Sequence, residues 1–137
     1  MAKQTGLGAT VSVDDAVPAL QNISNDVTSF SIKTERGMQE VTGVDKSALE
    51  RIALAADGGV TLKGVFNPTA NMSHDVFKTV CTTDVLRTCT IVLAGTPTAT
   101  LTMEMRASNY NVERGDDGKL TWSVELMLAN GTAPTWT

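Results

Sequence analysis

Few side chains in this chain have the chemistry of an active site. One histidine, His74, two cysteines, Cys81 and Cys89, and two adjacent carboxylate pairs, Asp14-Asp15 and Asp116-Asp117, are the candidates for nucleophilic, acid–base or metal chemistry. A thiol nucleophile needs a neighbouring base to hold it as thiolate. Cys81 lies seven positions after His74, a spacing that gives no reason to pair them on a short helix. A lone histidine and two cysteines without ligand spacing leave little for a metal site. Neighbouring carboxylates on a strand point to opposite faces, and the second pair lies in a turn, so both pairs read as solvated. His74 follows Ser73, a candidate helix cap, and a place in the first turn of a short helix outweighs a catalytic one. The expectation is a chain that is not an enzyme and takes no metal or cofactor.

Other motif matches carry no more. Gly6-Leu7-Gly8 lacks the third glycine and following helix of a dinucleotide site and reads as part of a flexible arm over about residues 1–8. Arg114-Gly115-Asp116 spells an adhesion tripeptide but begins a hairpin turn. The amino terminus shows no apolar stretch of a signal or anchor, so the chain is expected to stay in a cytoplasm without entering a membrane. In that compartment the Asn-X-Ser/Thr matches at Asn22, Asn71 and Asn130 are chance, and the two cysteines are expected as buried free thiols. A net charge of −4 argues against tight nucleic-acid binding, which needs Lys and Arg to displace counterions. A polar, neutral to acidic surface could still let DNA pass without gripping it.

The elements that would position these residues are mostly strands. A length of 137 residues and 42% hydrophobic content fit one domain with its own core. Leu120, Trp122, Val124, Leu126 and Leu128 alternate with Thr121, Ser123 and Glu125, the period of a half-buried strand. Its partner is residues 108–114, across the Gly115-Asp116-Asp117-Gly118 link. A second hairpin joins residues 87–93 to the alternating Leu101, Met103 and Met105 across Gly95-Thr96-Pro97. Further strands are expected over residues 9–14, 20–23, 27–34 and 59–66.

One helix is expected to interrupt them. Ala48, Leu49, Ile52, Ala53 and Ala56 approximate a helical stripe, Ser47 and Glu50 have capping-box spacing, and Asp57-Gly58-Gly59 would stop it. A short helical turn over residues 73–80 is a second expectation, capped by Ser73. The fold class is therefore mainly β, a β sandwich or partly open barrel with one flanking α-helix. Its expected core includes Phe30, Leu49, Ile52, Phe66, Leu101, Trp122, Val124 and Leu126. Residues 34–45 read as a long polar loop, and long ordered loops tend to be functional. Glu35, Arg36, Gly37, Gln39, Glu40 and Asp45 are its candidate contacts to a neighbouring subunit.

The strings Lys3-Gln4-Thr5-Gly6-Leu7-Gly8-Ala9-Thr10-Val11, Ile23-Ser24-Asn25-Asp26-Val27-Thr28 and Thr42-Gly43-Val44-Asp45-Lys46-Ser47-Ala48 carry a resemblance. So do Gly64-Val65-Phe66-Asn67, Ser73-His74-Asp75-Val76, Leu120-Thr121-Trp122-Ser123 and Gly131-Thr132-Ala133-Pro134-Thr135-Trp136. With these the chain resembles the tail tube proteins, or major tail proteins, of long-tailed bacteriophages with non-contractile tails. The resemblance implies a structural subunit of the virion tail that joins copies of itself into rings, usually of six. Sheet strands from successive subunits would form an inner barrel. Rings would stack into a tube built around a tape-measure protein, closed by tail terminator and tip proteins, and later crossed by the phage DNA. Assembly would take place in the host bacterial cytoplasm. Ser29, Ser31 and Lys33, opposite Thr28, Phe30 and Ile32 on their strand, are the candidate lumen-facing residues. A head decoration or head-to-tail joining protein, a monomeric β-barrel ligand-binding module and a small hydrolase are the alternatives.

Alternation places Trp122 on the buried face. Trp122→Ala is expected to cost about 3–5 kcal/mol, read as a large fall in melting temperature; an unchanged transition would mean the faces are reversed.

Overall fold

The computed structural model describes residues 7–95 and 97–137. Of the arm expected over residues 1–8, only Leu7 and Gly8 fall among the described residues, and they form a turn. Thr96 of the Gly95-Thr96-Pro97 link also lies outside them.

Alternating segments become strands: β1 (Thr10–Asp14), β2 (Leu20–Asn22), β3 (Val27–Glu40), β4 (Arg51–Val65), β5 (Arg87–Leu93), β6 (Ala99–Arg114), β7 (Leu120–Leu128) and β8 (Thr135–Trp136). One short helix, α1 (Ser73–Phe77), lies between β4 and β5. The strands form one antiparallel eight-stranded sheet in the order β2-β1-β5-β6-β7-β4-β3, with β8 beside β6. β2 and β3 are its edges, and it does not close into a barrel.

Register explains the core. Val11 lies opposite Ile91, and Ile91 opposite Leu101. Farther along, Phe30, Leu62, Val124 and Tyr110 stand in one row across four strands. Because successive side chains alternate faces, each such row puts apolar groups on the same side of the sheet. Residues from both ends of the sheet join one buried cluster that includes Val11, Val13, Leu62, Leu101, Trp122, Val124 and Leu126, so the sheet curls around its own inner face. Val76 and Phe77 of α1 are fully buried in the same cluster.

The expected helix over residues 47–56 is not formed. Residues 51–58 continue β4, and β3 runs on to Glu40, so the two strands make one long hairpin with Glu40 opposite Arg51. The Gly58-Gly59 pair expected to stop the helix lies inside β4, opposite Thr34 and Lys33. The apolar residues of this segment satisfied a helical period, but tertiary pairing to β3 decides its state. The expected loop over residues 34–45 is likewise mostly strand: Glu35, Arg36, Gly37, Gln39 and Glu40 belong to β3, and Asp45 alone of the candidate contacts lies in the connection over residues 41–50. Leu49 and Ile52 are exposed rather than core, at 57% and 50%. Leu101, Trp122, Val124 and Leu126 are buried, while Phe30 and Phe66 are half-buried.

The short helix also has a different cap from the one expected. Its N-cap residue is Met72, and no side chain of that residue bonds the first turn. Ser73 is instead the first helical residue, and its backbone N–H donates to Asp26 Oδ2 at 3.0 Å. Asp26, 4% exposed, also accepts from Asn67 Nδ2 through Oδ1, and its carbonyl accepts from Val65 N–H. One buried carboxylate thus ties the start of β3 to the end of β4 and to α1. The Trp122 indole donates to the Val65 carbonyl at 2.9 Å, and its ring lies 5.6 Å from that of Phe77.

Gly64 stands where these groups meet. A Cβ there would lie 1.9 Å from the Asp26 carbonyl oxygen and 2.9 Å from the Trp122 ring. Gly64→Ala is therefore expected to destabilise the chain by about 3 kcal/mol, the upper end for overpacking, in denaturant titration. A loss below about 0.5 kcal/mol, typical of a surface site, would contradict this geometry.

Candidate assembly surface

Beyond Gly59, opposite Met127, β4 has no further pairing to β7. Among the described residues, residues 51–58 of β4 pair with β3 alone, so the far half of the hairpin is a two-stranded ribbon. Such a ribbon is marginal in water unless something covers it. Its apolar residues are in the open: Met38 is 59% exposed, Leu49 57%, Ile52 50% and Leu54 45%. Val41 and Val44 extend the exposed apolar surface into the connection. Met38 lies opposite Ala53 and Gln39 opposite Ile52, so neighbouring pairs put apolar groups on both faces of the ribbon. Gly37 sits at the register shift between Arg36 and Met38 and lies against the Leu54 side chain. Large apolar side chains left exposed together on a two-stranded ribbon make it a candidate interaction surface.

The candidate contacts stand around it. Glu35, Arg36, Gly37, Gln39 and Glu40 are exposed along β3, with Glu35 paired to Lys33 at 3.2 Å. Asp45 is exposed at the tip beside Lys46. What sequence reasoning missed is the apolar component, Met38, Ile52 and Leu54. The alternation of Ile52 and Leu54 with Ala53 was a strand signal, masked by the helical spacing of the alanines.

A second surface lies on the outer face of the sheet. Ser29 is opposite Lys63, which is opposite Ser123, which is opposite Asn111. The next row is Ser31, Thr61, Glu125 and Asn109. Ser29, Ser31 and Lys33 are all exposed on this face. The face is hydroxyl- and amide-rich, and its charges are of both signs.

The residues with chemical potential are held apart or occupied. His74 Nδ1 is 3.0 Å from the Tyr110 hydroxyl, and its ring stacks obliquely on Phe66 at 4.8 Å. Burial pushes the Tyr110 hydroxyl up to about 12. Cys89 is buried, and desolvation pushes its thiol up to about 12, so it is inert near neutral pH. Cys81 is exposed, not buried as expected. Asp116 and Asp117 are exposed in the turn between β6 and β7, where Asp117 accepts from Lys119 N–H.

Asp14 and Asp15 are buried, not solvated. Asp15 Oδ1 accepts from the N–H groups of Val17 and Ala19, and Asp14 Oδ2 accepts from Thr88 N–H. Close by, the fully buried Arg87 donates through Nη1 to the carbonyls of Asp14 and Val76, each at 2.8 Å, tying α1 to β1. Burial pulls the guanidinium below its ordinary value, and the carboxylates of Asp15 and Asp14 oppose that shift. The pair thus serves backbone capping and charge compensation inside the fold. Among the described residues, no group of three or more His, Cys, Asp and Glu side chains could hold a metal ion, and no helix is long and apolar enough to cross a membrane.

Comparison with known proteins places the fold. No protein-family model matches the chain, and no curated protein matches it by sequence. Solved structures do match. A chain from the tail of an empty gene transfer agent particle, computed with helical refinement and C6 symmetry, superposes with a TM-score of 0.77 at 12% identity, covering 98% of this chain and 99% of that one. A chain from the virion of the native gene transfer agent particle gives a TM-score of 0.77 at 11% identity and the same coverage. The likeness is one of fold, from end to end.

The thiol assignment is directly testable. A neutral-pH aromatic disulfide reagent is expected to label one thiol per native chain, at Cys81, and two after denaturation. Rapid labelling of both in the native state would contradict the burial of Cys89.

Proposed function

We propose that this chain is a structural subunit of a phage-like virion tail, which joins copies of itself into rings that stack as a tail tube. The observation that carries the reading is the end-to-end likeness of fold to a chain of a gene transfer agent tail. The hairpin of β3 and β4 supports it independently, because apolar groups on both faces of a two-stranded ribbon call for a covering partner. A second copy of the chain is the partner this reading supplies. A contact between unlike surfaces of identical chains closes into a ring or continues as a helix, and both are forms a tube can use.

In this reading the rings are sixfold, and the long edge strand β3 continues the sheet of one subunit into the next. The outer face carrying Ser29, Ser31, Lys33, Thr61, Lys63, Asn109, Asn111, Ser123 and Glu125 lines the lumen. Lys33, Lys63 and, in the row of Lys33, Arg106 stand on this face with Glu125; Lys33 and Arg106 are paired with Glu35 and Asp84, and the hydroxyl and amide groups around them offer hydration. DNA would pass without sequence-specific contact. The tape-measure, terminator and tip proteins would be further partners, with assembly in the host cytoplasm. The chain would do no chemistry of its own.

Electron microscopy of the concentrated purified protein tests this. Hollow tubes or stacked rings with sixfold symmetry are expected; a monomer that persists at every concentration would overturn the proposal. The double variant Ile52→Asp, Leu54→Asp is expected to abolish tubes while changing the stability of the isolated subunit by no more than ~0.5 kcal/mol per site, as for exposed positions. Tubes of normal form from that variant would remove the hairpin from the contact.

A further inference from the structure

We infer that residues 133–137 act as a strap that sets the angle at which the β3–β4 hairpin leaves the sheet. The hairpin has a natural hinge. Pairing of β4 to β7 ends at Gly59, and the adjacent Gly58 and Gly59 occupy the boundary between the seven-stranded path of the sheet and the free ribbon. Consecutive glycines are the least restrained backbone the chain could place there. The ladder to β3 continues across this boundary, from Lys33–Gly59 to Thr34–Gly58 and Glu35–Asp57, so the two strands of the ribbon would turn together about it.

The restraint comes from the other end of the chain. β8 is fixed to β6 by the pairs Leu101–Trp136 and Thr102–Thr135. Beyond them, Thr100 and Thr137 exchange both backbone hydrogen bonds, each at 2.8 Å. From this anchor the segment reaches the hinge. A Cβ on Gly58 would lie 2.9 Å from Pro134 Cγ and 2.9 Å from Met103 Sδ, so the proline and the buried methionine close directly over the glycine. Gly58 is buried, although it belongs to the half of β4 that β7 does not touch. The strap thus clamps the root of the ribbon on one side.

On that same side the contact is incomplete. Thr34, Arg36, Ala56 and Asp57 of the hairpin face Pro134 and Trp136 across an open cleft of about 330 Å³. Trp136 keeps 44% of its surface exposed there. The ribbon therefore has space to swing toward the strap, and Pro134 is the stop that limits it. A ring ring-stacked on its neighbours needs every hairpin to leave at one angle. That consequence alone rests on the proposed function; the strap is a property of the single chain.

Hydrogen exchange followed by mass spectrometry, on protein kept dispersed by low concentration, tests the strap apart from assembly. In Pro134→Gly the amides of residues 35–57 are expected to exchange at least tenfold faster, while those of β5, β6 and β7 keep their rates. Trp136→Ala, which loosens the anchor, is expected to give the same pattern more weakly. Unchanged exchange in the hairpin of both variants would overturn the inference. So would equal acceleration of every strand, because residues 133–137 would then be an ordinary part of the core. Tubes that form while the hairpin rates stay unchanged would sink the strap and leave the tail reading intact.

Discussion

The burial of one face of a single curled sheet is the constraint on which the rest of this structure depends. Rows such as Phe30–Leu62–Val124–Tyr110 work only if four strands hold their register, since a slip of one residue would send each apolar side chain to the wet side. Few aromatic residues are available, so position matters more than bulk. Trp122 carries much of this burden, packed against Phe77 and bonded to the Val65 carbonyl. Gly64 permits that packing by leaving room for both the indole and the Asp26 backbone.

From this constraint the exposed features follow. A sheet whose inner face is satisfied has no use for apolar residues beyond its margin, yet β3 and β4 run past β7 and carry Met38, Ile52 and Leu54 into solvent. A monomer gains nothing from such a ribbon, which is open to aggregation. The outer face of the same sheet is hydroxyl- and amide-rich. One module thus combines a closed core, an exposed apolar projection and a polar outer wall, the three surfaces on which the proposed assembly draws.

Much of this was legible in the sequence where local and tertiary preferences agree. The alternation from Leu120 to Leu128 and the Asp-Gly turn before it produced β7, its register with β6 and the burial of Trp122. The stretch around Ala48 to Ala56 misled because alanine and leucine satisfy a helical stripe as readily as a strand, and the deciding contact, pairing to β3, lies across the chain. Asp14 and Asp15 misled for a related reason: carboxylates read as solvated until the buried Arg87 and the backbone N–H groups that compensate them are known. The turn expected over residues 73–80 contains α1, which spans only Ser73–Phe77, and the carboxylate that accepts from its first N–H, Asp26, stands 47 residues away, which no local pattern encodes. Of the exposed hairpin, the polar residues of β3 stood out in the sequence as candidate contacts, while Leu49 and Ile52 were expected in the core and are exposed.

The central claim is that the hairpin of β3 and β4 is exposed in one copy because another copy covers it. Hydroxyl-radical footprinting of Met38, Ile52 and Leu54 in dispersed and assembled protein tests it most directly. The account predicts strong oxidation of these side chains in the dispersed subunit and at least severalfold protection after assembly. Equal oxidation in the two states, with protection elsewhere on the chain, would contradict it.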